Sequence, residues 1–218
     1  KATFFSLKTK NLNLVIATST PLTVGIPALF LKKIKRVPYI FEVRDLWPEV
    51  PIQMGALNNR ILIRFAVWIE KLIYENAKHI IALSPGMSYG VAKHVIEEKI
   101  SMIPNMAKID VFWPRNKNHF LCSELGLNKN SFKVIHFGAL GLANGAKYIL
   151  EGAKLLKENS KVEFIFIGGG AKECDLISFC NRHNLKNVHF LGEYAMEKTS
   201  EIVNLCDVSI VSFLNLPI

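Results

Sequence analysis

The sequence has few cysteines and no long apolar run. Its 218 residues include four cysteines, and no two of them form a C-x-x-C pair, which argues against a disulfide framework or a zinc site. We therefore expect a reducing, cytoplasmic compartment. The longest apolar run, Leu22 to Leu31, contains Gly25 and Pro27 and is too short to span a bilayer. The four cysteines are Cys122, Cys174, Cys180 and Cys206.

Acidic residues are in the minority. Eighteen Asp and Glu face 27 Lys and Arg, giving a formal net charge of +9, which favours anionic partners. No arginine-rich tract and no regular alternation of basic and aromatic residues is present, which argues against nucleic acid. Acidic lipid and phosphorylated small molecules remain as candidate anionic partners. One tight basic cluster runs from Lys32 to Arg36. Half of the residues are hydrophobic, enough for a packed core.

Short apolar runs alternate with helical patterns along the whole chain, which indicates parallel sheets with helical crossovers. An irregular stretch from Met106 to Asn118 separates two such series. We expect an α/β fold of two Rossmann-like halves, residues 1–115 and 116–218. Each half has about four predicted strands, fewer than a complete doubly wound sheet, so each is expected to be incomplete at its terminus. The predicted strands are 12–17, 37–43, 80–83, 100–103, 134–137, 162–167, 188–191 and 208–211.

The densest polar cluster runs from Glu42 to Glu49 and follows a predicted buried strand. Ligands of open α/β sheets bind at the carboxyl ends of the strands. Arg44 beside Asp45 offers a charged pair that could orient a substrate hydroxyl, with Trp47 nearby. The alternative is a structural salt bridge with a packed Trp47. Ser84 precedes a predicted helix, where an N-cap role competes with ligand contact.

Glycine loops follow two predicted strands of the second half. Gly168 to Gly170 continue a buried strand, and Gly138 and Gly141 follow an earlier one. Backbone without Cβ can approach a phosphate closely, and a following helix N-terminus favours an anion. The alternative interpretation is tight turning alone.

The predicted helix from Asn58 to Ala77 carries aromatic and basic residues together. Phe65 and Trp68 lie among Arg60, Arg64 and Lys71. This pattern suits either contact with a membrane interface or packing of an apolar stripe, from Ile61 to Ile73, on its own sheet.

Together these segments resemble the group 1 (family 4) glycosyltransferases of the GT-B fold, in particular bacterial capsule, O-antigen and exopolysaccharide transferases, including those that use amino sugars. The run from Arg44 to Glu49 is the most specific match, and the looser matches fall in the family's order. The matching segments are 41–49, 83–87, 103–105 with Asp110 and Phe112, 137–145, 167–172, 190–192 and 206–208.

The resemblance implies a nucleotide-sugar donor, UDP- or GDP-linked, held by the second half, and an acceptor held by the first half. It implies a retaining reaction without a metal or other cofactor. It implies catalytic roles for Asp45 and Arg44 and acceptor-side roles for Trp47, Glu49 and Ser84. The donor-binding residues that it implies are Gly138, Gly141, Lys147, Gly168, Gly170, Lys172, Leu191, Gly192 and Glu193. It further implies a lipid-linked glycan acceptor and peripheral contact with an anionic membrane, at the inner face of the cytoplasmic membrane.

The sequence departs from the family pattern where many relatives carry basic residues. Ala139 stands where an arginine is common, and Ala143 and Asn144 stand where a lysine is common. We expect the 218 residues alone to be weakly active or inactive. A sugar-nucleotide epimerase of the same fold and a non-catalytic remnant or interaction module are the alternatives. A dinucleotide oxidoreductase is disfavoured because Gly168 and Gly170 lack the third glycine of its fingerprint.

Overall fold

The computed structural model of the chain describes residues 2–215, which form two compact units, each built on a four-stranded parallel sheet. The strands are β1 (Val15–Thr18), β2 (Tyr39–Val43), β3 (His79–Ala82), β4 (Ile100–Met102), β5 (Phe132–Phe137), β6 (Val162–Ile167), β7 (Val188–Gly192) and β8 (Val208–Ser209). The α-helices are α1 (Ala2–Lys8), α2 (Gly25–Lys35), α3 (Glu49–Gln53), α4 (Arg60–Asn76), α5 (Pro85–Ala92), α6 (His119–Glu124), α7 (Ala146–Leu155), α8 (Glu173–His183) and α9 (Met196–Val203).

The first unit orders its strands β1-β2-β3-β4. The alternate residues Tyr39, Phe41 and Val43 of the central β2 are fully buried and pack in one core with Ile73 and Tyr74 of α4. The Tyr39 hydroxyl donates to the carbonyl oxygen of Ile73 at 2.5 Å. The C-terminal half of α4 is thereby fixed against the sheet.

The second unit orders its strands β7-β6-β5-β8, and its sheet is covered on both faces. Val134 and Phe166 pack in a core with α7 and α8 on one side. Ile135 and Ile165 pack with residues of α6 and α9 on the other side. Strands buried on both faces, with parallel pairing, are the pattern of doubly wound α/β folds.

The two units divide between Met106 and Ala107, whereas the sequence prediction placed the division between residues 115 and 116. Residues 107–115 are tied to α9. The Ser200 hydroxyl donates to the carbonyl oxygen of Val111 at 2.7 Å, and the Arg115 backbone N–H donates to the Asn204 side-chain oxygen at 2.7 Å.

All eight predicted strands are present, and the α/β class with two parallel sheets is confirmed. The helices α1, α3 and α6 were not predicted. Two of them have five and six residues, too short for an apolar period to show. The Asn118 side chain caps α6 by accepting from Phe120 and Leu121, a local signal that was overlooked.

Candidate functional site

Polar residues of the first unit meet at the carboxyl ends of β1 and β2. The Thr18 hydroxyl donates to Glu42 Oε2 at 2.8 Å, and the Thr20 hydroxyl donates to Asp45 Oδ2 at 2.5 Å. The backbone of this edge is fixed by the buried Ser19, whose hydroxyl accepts from the Arg44 N–H at 3.0 Å. The turn after β1 therefore holds the segment after β2 in place.

Asp45 and Arg44 both expose their side chains at this edge. Within residues 2–215 no ion pair joins them, since the nearest recorded partner of Asp45 is Thr20. The salt bridge considered from the sequence is therefore not formed. An exposed carboxylate held by one hydroxyl can still accept a hydrogen bond from a ligand.

The neighbouring candidates have structural partners. Trp47 packs against the core of the first unit, and Glu49 begins α3 with an oxygen 3.9 Å from Lys93 Nζ. Ser84 is the N-cap of α5, with its hydroxyl accepting from the Met87 N–H at 3.3 Å, so the capping interpretation of Ser84 is confirmed.

A buried carboxylate lies in the same unit. Glu70 of α4 is 2% exposed, and one of its oxygens is 3.6 Å from His94 Nε2. Burial, together with the negative charge of Glu49, raises the pKa of Glu70 to about 7, against the lowering effects of a Tyr74 hydrogen bond and Lys93. Glu70 is therefore a group that changes charge near neutral pH.

Three glycines shape the corresponding edge of the second unit. Gly138, Gly168 and Gly170 have φ angles of +144°, +121° and +155°, values that L side chains rarely adopt. A Cβ at Gly168 would collide with the carbonyl oxygen of Gly138, and one at Gly170 would lie 2.7 Å from the Leu140 carbonyl oxygen. The glycines let the loops after β5 and β6 pack directly on each other.

A cavity of about 390 Å³ lies at this edge, and we call it the edge cavity. Two of its walls are the stacked rings of Phe112 and Phe137, with centroids 6.3 Å apart. Its lining residues are Phe112, Phe137, Gly138, Ile167, Gly168, Glu193, Tyr194, Met196 and Thr199. These residues include no lysine or arginine.

A second cavity, of about 320 Å³, lies between α7 and α8, and we call it the helix cavity. It contains three of the predicted donor residues, Gly141, Lys147 and Lys172. Its lining residues are Gly141, Leu142, Gly145, Ala146, Lys147, Lys172, Asp175, Leu176, Phe179, Arg182 and Leu214. Six of the nine predicted donor residues therefore divide equally between two cavities of the same unit.

The remaining predicted donor residues support these loops. Gly192 ends β7 with a φ of +79°, and its carbonyl oxygen accepts from the Gly168 N–H at 2.8 Å. Leu191 packs into the core beside α6 and α9. The sequence prediction missed Phe137 and Tyr194 of the edge cavity, although each is adjacent to a predicted residue.

The helix α4 exposes much of its apolar stripe from Ile61 to Ile73. One interpretation of the sequence had packed this stripe against the sheet. Ile61 is 77% exposed, Phe65 56% and Trp68 57%, so that interpretation is wrong for these three residues. The buried residues of α4 are Glu70, Ile73 and Tyr74, because the C-terminal half of the helix carries the contacts to β2. None of the helices described is long and apolar enough to cross a membrane.

Metal and thiol chemistry can be assessed for the described part of the chain. Residues 2–215 contain no group of three or more His, Cys, Asp or Glu placed to hold a metal ion. All four cysteines are free thiols. Burial raises the pKa of Cys180 to about 11 and that of Cys206 to about 12, which keeps both thiols protonated and weakly nucleophilic.

Comparison with known families gives two matches that follow the two units. Residues 3–106 match the family described as glycosyl transferase 4-like domain. Residues 120–215 match the family described as glycosyl transferases group 1. No curated protein sequence matches the chain.

Solved structures of similar fold span both units. HepE from Anabaena, in complex with UDP and glucose, is 22% identical with a TM-score of 0.75, over 97% of this chain and 55% of HepE. Sucrose-phosphate synthase from Thermosynechococcus elongatus is 16% identical with a TM-score of 0.75, over 99% and 53% of the two chains. WaaG, a glycosyltransferase involved in lipopolysaccharide biosynthesis, is 13% identical with a TM-score of 0.67, over 91% and 60%. The chain thus spans about half the length of the structures it matches.

Proposed function

Because the chain belongs to the group 1 glycosyltransferases of the GT-B fold, we propose that it serves to transfer a sugar from a nucleotide-sugar donor to a lipid-linked or polysaccharide acceptor. The pathway we propose is the synthesis of bacterial surface glycans, at the inner face of the cytoplasmic membrane. The edge cavity of the second unit is the observation that carries this proposal.

The edge cavity suits a nucleoside diphosphate for three reasons. Its volume of about 390 Å³ falls in the usual range for small-molecule sites. Gly138 and Gly168 present bare backbone, which a diphosphate can approach closely. Phe137 and Tyr194 offer apolar and aromatic surface to a base, and the Glu193 carboxylate can accept hydrogen bonds from ribose hydroxyls. HepE, which has a similar fold, binds UDP.

The lining of the edge cavity also sets an expectation for donor affinity. No basic side chain lines it, and Lys147 and Lys172 line the helix cavity instead. The diphosphate would therefore be held by backbone groups and by the glycine loops alone. We expect UDP to bind this chain with a Kd in the range of about 0.1–1 mM, weaker than typical micromolar ligands.

In the first unit we assign the acceptor to the edge formed by Thr20, Arg44 and Asp45. Asp45 accepts a hydrogen bond from Thr20 at 2.5 Å, and an acceptor hydroxyl can take the place of that donor. The exposed Arg44 supplies positive charge beside it. In the reaction we propose, the acceptor oxygen bonds to the anomeric carbon as the bond between that carbon and the diphosphate breaks. The departing nucleoside diphosphate takes up the proton of the acceptor hydroxyl, and configuration is retained without a metal or cofactor.

The exposed face of α4 supports a membrane-proximal acceptor. Ile61, Phe65 and Trp68 are more than half exposed, and Arg60 and Arg64 are on the same helix. Exposed aromatic and basic residues on one helix favour the interface of an anionic membrane. Flotation with phosphatidylglycerol vesicles, lost in a Phe65→Ser/Trp68→Ser variant, tests this part of the proposal. Vesicle binding that is unchanged by the two substitutions and by the salt concentration would contradict the membrane-proximal acceptor.

Calorimetric titration of UDP, GDP and NAD into the chain tests the donor site directly. Met196 lines the edge cavity, whereas the neighbouring Glu197 does not. A Met196→Trp substitution should fill the cavity and abolish UDP binding, and Glu197→Trp should leave it unchanged. A preference for NAD, or UDP binding that survives in Met196→Trp, would refute the donor assignment.

A further inference from the structure

The helix cavity of the second unit combines apolar walls with excess positive charge. Leu176 and Phe179 of α8 form its buried wall. Lys147, Lys172 and Arg182 are its cations, and Asp175 is its one anion. Asp175 is engaged by Lys172, with nitrogen and oxygen 2.8 Å apart.

Two cations at this cavity lack a carboxylate partner. Among the described residues, neither Lys147 nor Arg182 has an acidic oxygen within 4.0 Å. Lys147 Nζ lies 5.9 Å from the centre of the Phe179 ring, and Arg182 Nε donates only to the Ser178 carbonyl oxygen, at 3.4 Å. Unpaired cations beside an apolar wall attract a ligand that is anionic at one end and apolar at the other.

The walls of the helix cavity are held by backbone contacts. The Lys172 N–H donates to the Leu140 carbonyl oxygen at 2.9 Å, and the Leu214 N–H donates to the Ala143 carbonyl oxygen at 2.9 Å. The Ser212 hydroxyl donates to the Asn144 carbonyl oxygen at 2.6 Å. Since three separate segments are joined in this way, the cavity is a preformed feature of the unit.

We infer that the helix cavity binds a small phosphate-bearing molecule with an apolar body, at a site separate from the edge cavity. Lys147 and Arg182 bind the phosphate, and Leu176 and Phe179 contact the apolar part. This inference does not rest on the proposed sugar transfer, because its test requires neither donor nor acceptor.

Hexyl phosphate is a suitable probe because it carries both features without forming a membrane. It should bind the full chain with 1:1 stoichiometry by calorimetry, and it should shift the amide NMR signals of Leu142, Leu176 and Phe179. Inorganic phosphate and hexan-1-ol, which each carry one feature, should bind at least about tenfold more weakly, a difference of about 1.4 kcal/mol. Equal binding of hexan-1-ol, or shifts confined to α4, would overturn the inference.

Charge-matched variants identify the site. Lys147→Ala/Arg182→Ala should weaken hexyl phosphate at least about tenfold. Lys154→Ala/Lys186→Ala removes two exposed lysines of the same unit that do not line the cavity, and it should leave the affinity unchanged. UDP at saturation should not displace hexyl phosphate. Displacement by UDP would place the nucleotide in the helix cavity and refute a separate site, whereas a failure of UDP to bind at all would affect only the donor proposal.

Discussion

Glu70 should make the stability of the first unit fall as pH rises towards 8. Its carboxyl is 2% exposed, and burial together with Glu49 raises its pKa from 4.5 to about 7. A carboxyl with a raised pKa in the folded state binds its proton more tightly there than in the unfolded chain. Its stabilising effect is therefore complete below pH 4.5 and is lost as pH rises through about 7.

The size of this effect follows from the shift. At about 1.4 kcal/mol for each pKa unit, a shift from 4.5 to about 7 costs the folded state about 3 kcal/mol by pH 8. A Glu70→Gln variant keeps an oxygen to accept the Tyr74 hydrogen bond but cannot ionise. It should match the parent near pH 4.5 and exceed its free energy of unfolding by about 3 kcal/mol at pH 8.

Urea unfolding between pH 4.5 and 8.5, followed by tryptophan fluorescence, measures this difference. A Trp113→Phe background restricts the signal to Trp47 and Trp68 of the first unit. Glu98→Gln, at an exposed position of the same unit, is the matched control for replacing a glutamate by glutamine. If Glu70→Gln were less stable than its parent at pH 8, the ionised carboxylate would be paired with His94, 3.6 Å away, and the reasoning from burial would be wrong.

Three further predictions concern the second unit. Gly168→Ala should lower the unfolding free energy by at least about 2 kcal/mol in thermal or urea melts. The alanine Cβ would collide with the Gly138 carbonyl oxygen, and residue 168 has a φ of +121°, which strains any L side chain. An unchanged unfolding free energy would show that the two loops do not pack as described. Lys133 is 2% exposed, donates to the Ser131 hydroxyl at 3.0 Å and places its ammonium 4.0 Å from the buried Glu163. Lys133→Ala removes that charge but leaves Glu163 its hydrogen bonds from Asn128, Ser131 and His189, so it should cost about 2–3 kcal/mol. A loss below about 1 kcal/mol in the same melts would contradict this. With a thiol-modifying reagent at pH 8, the exposed Cys174 should react fastest; rapid modification of Cys180, whose pKa burial raises to about 11, would show that α8 opens readily.

The fold was predictable because its signals are local. Apolar runs such as Val162 to Ile167 are buried on both faces of the sheet, and this pattern is typical of parallel strands. The site was less predictable because its geometry depends on contacts between distant segments. Phe112 comes from a stretch that the sequence marks as irregular, yet it stacks on Phe137 and lines the edge cavity.

The helix α4 shows why periodicity alone misassigned a face. The stripe containing Phe65 and Trp68 has helical spacing, but so does the set Glu70, Ile73 and Tyr74, three and four residues apart. Hydrophobicity favours the first set, because a buried glutamate is costly. The structure buries the second set, because the Tyr39 hydroxyl binds the Ile73 carbonyl oxygen and Phe41 packs against Tyr74, with ring centres 5.8 Å apart. Such contacts are visible only after the sheet has formed.

Lys147 and Lys172 follow the glycine loops in the sequence, yet they line the helix cavity and not the edge cavity. Gly145 is in the left-handed region, with a φ of +59°, and α7 begins directly after it. Lys147 is therefore the second residue of α7, and it lies over Phe179 of α8. Lys172 immediately precedes α8 and is held there by Asp175.

Residue 144 lies just before the turn at Gly145. The Asn144 side-chain oxygen accepts from the Gly141 N–H at 3.2 Å, and a lysine at this position would replace that contact with a positive charge. Because a lysine is common at this position in the family that the sequence resembles, we expect an Asn144→Lys substitution to strengthen UDP binding. Calorimetry of UDP and of hexyl phosphate would test this, and a change in hexyl phosphate affinity alone would show that residue 144 serves the helix cavity.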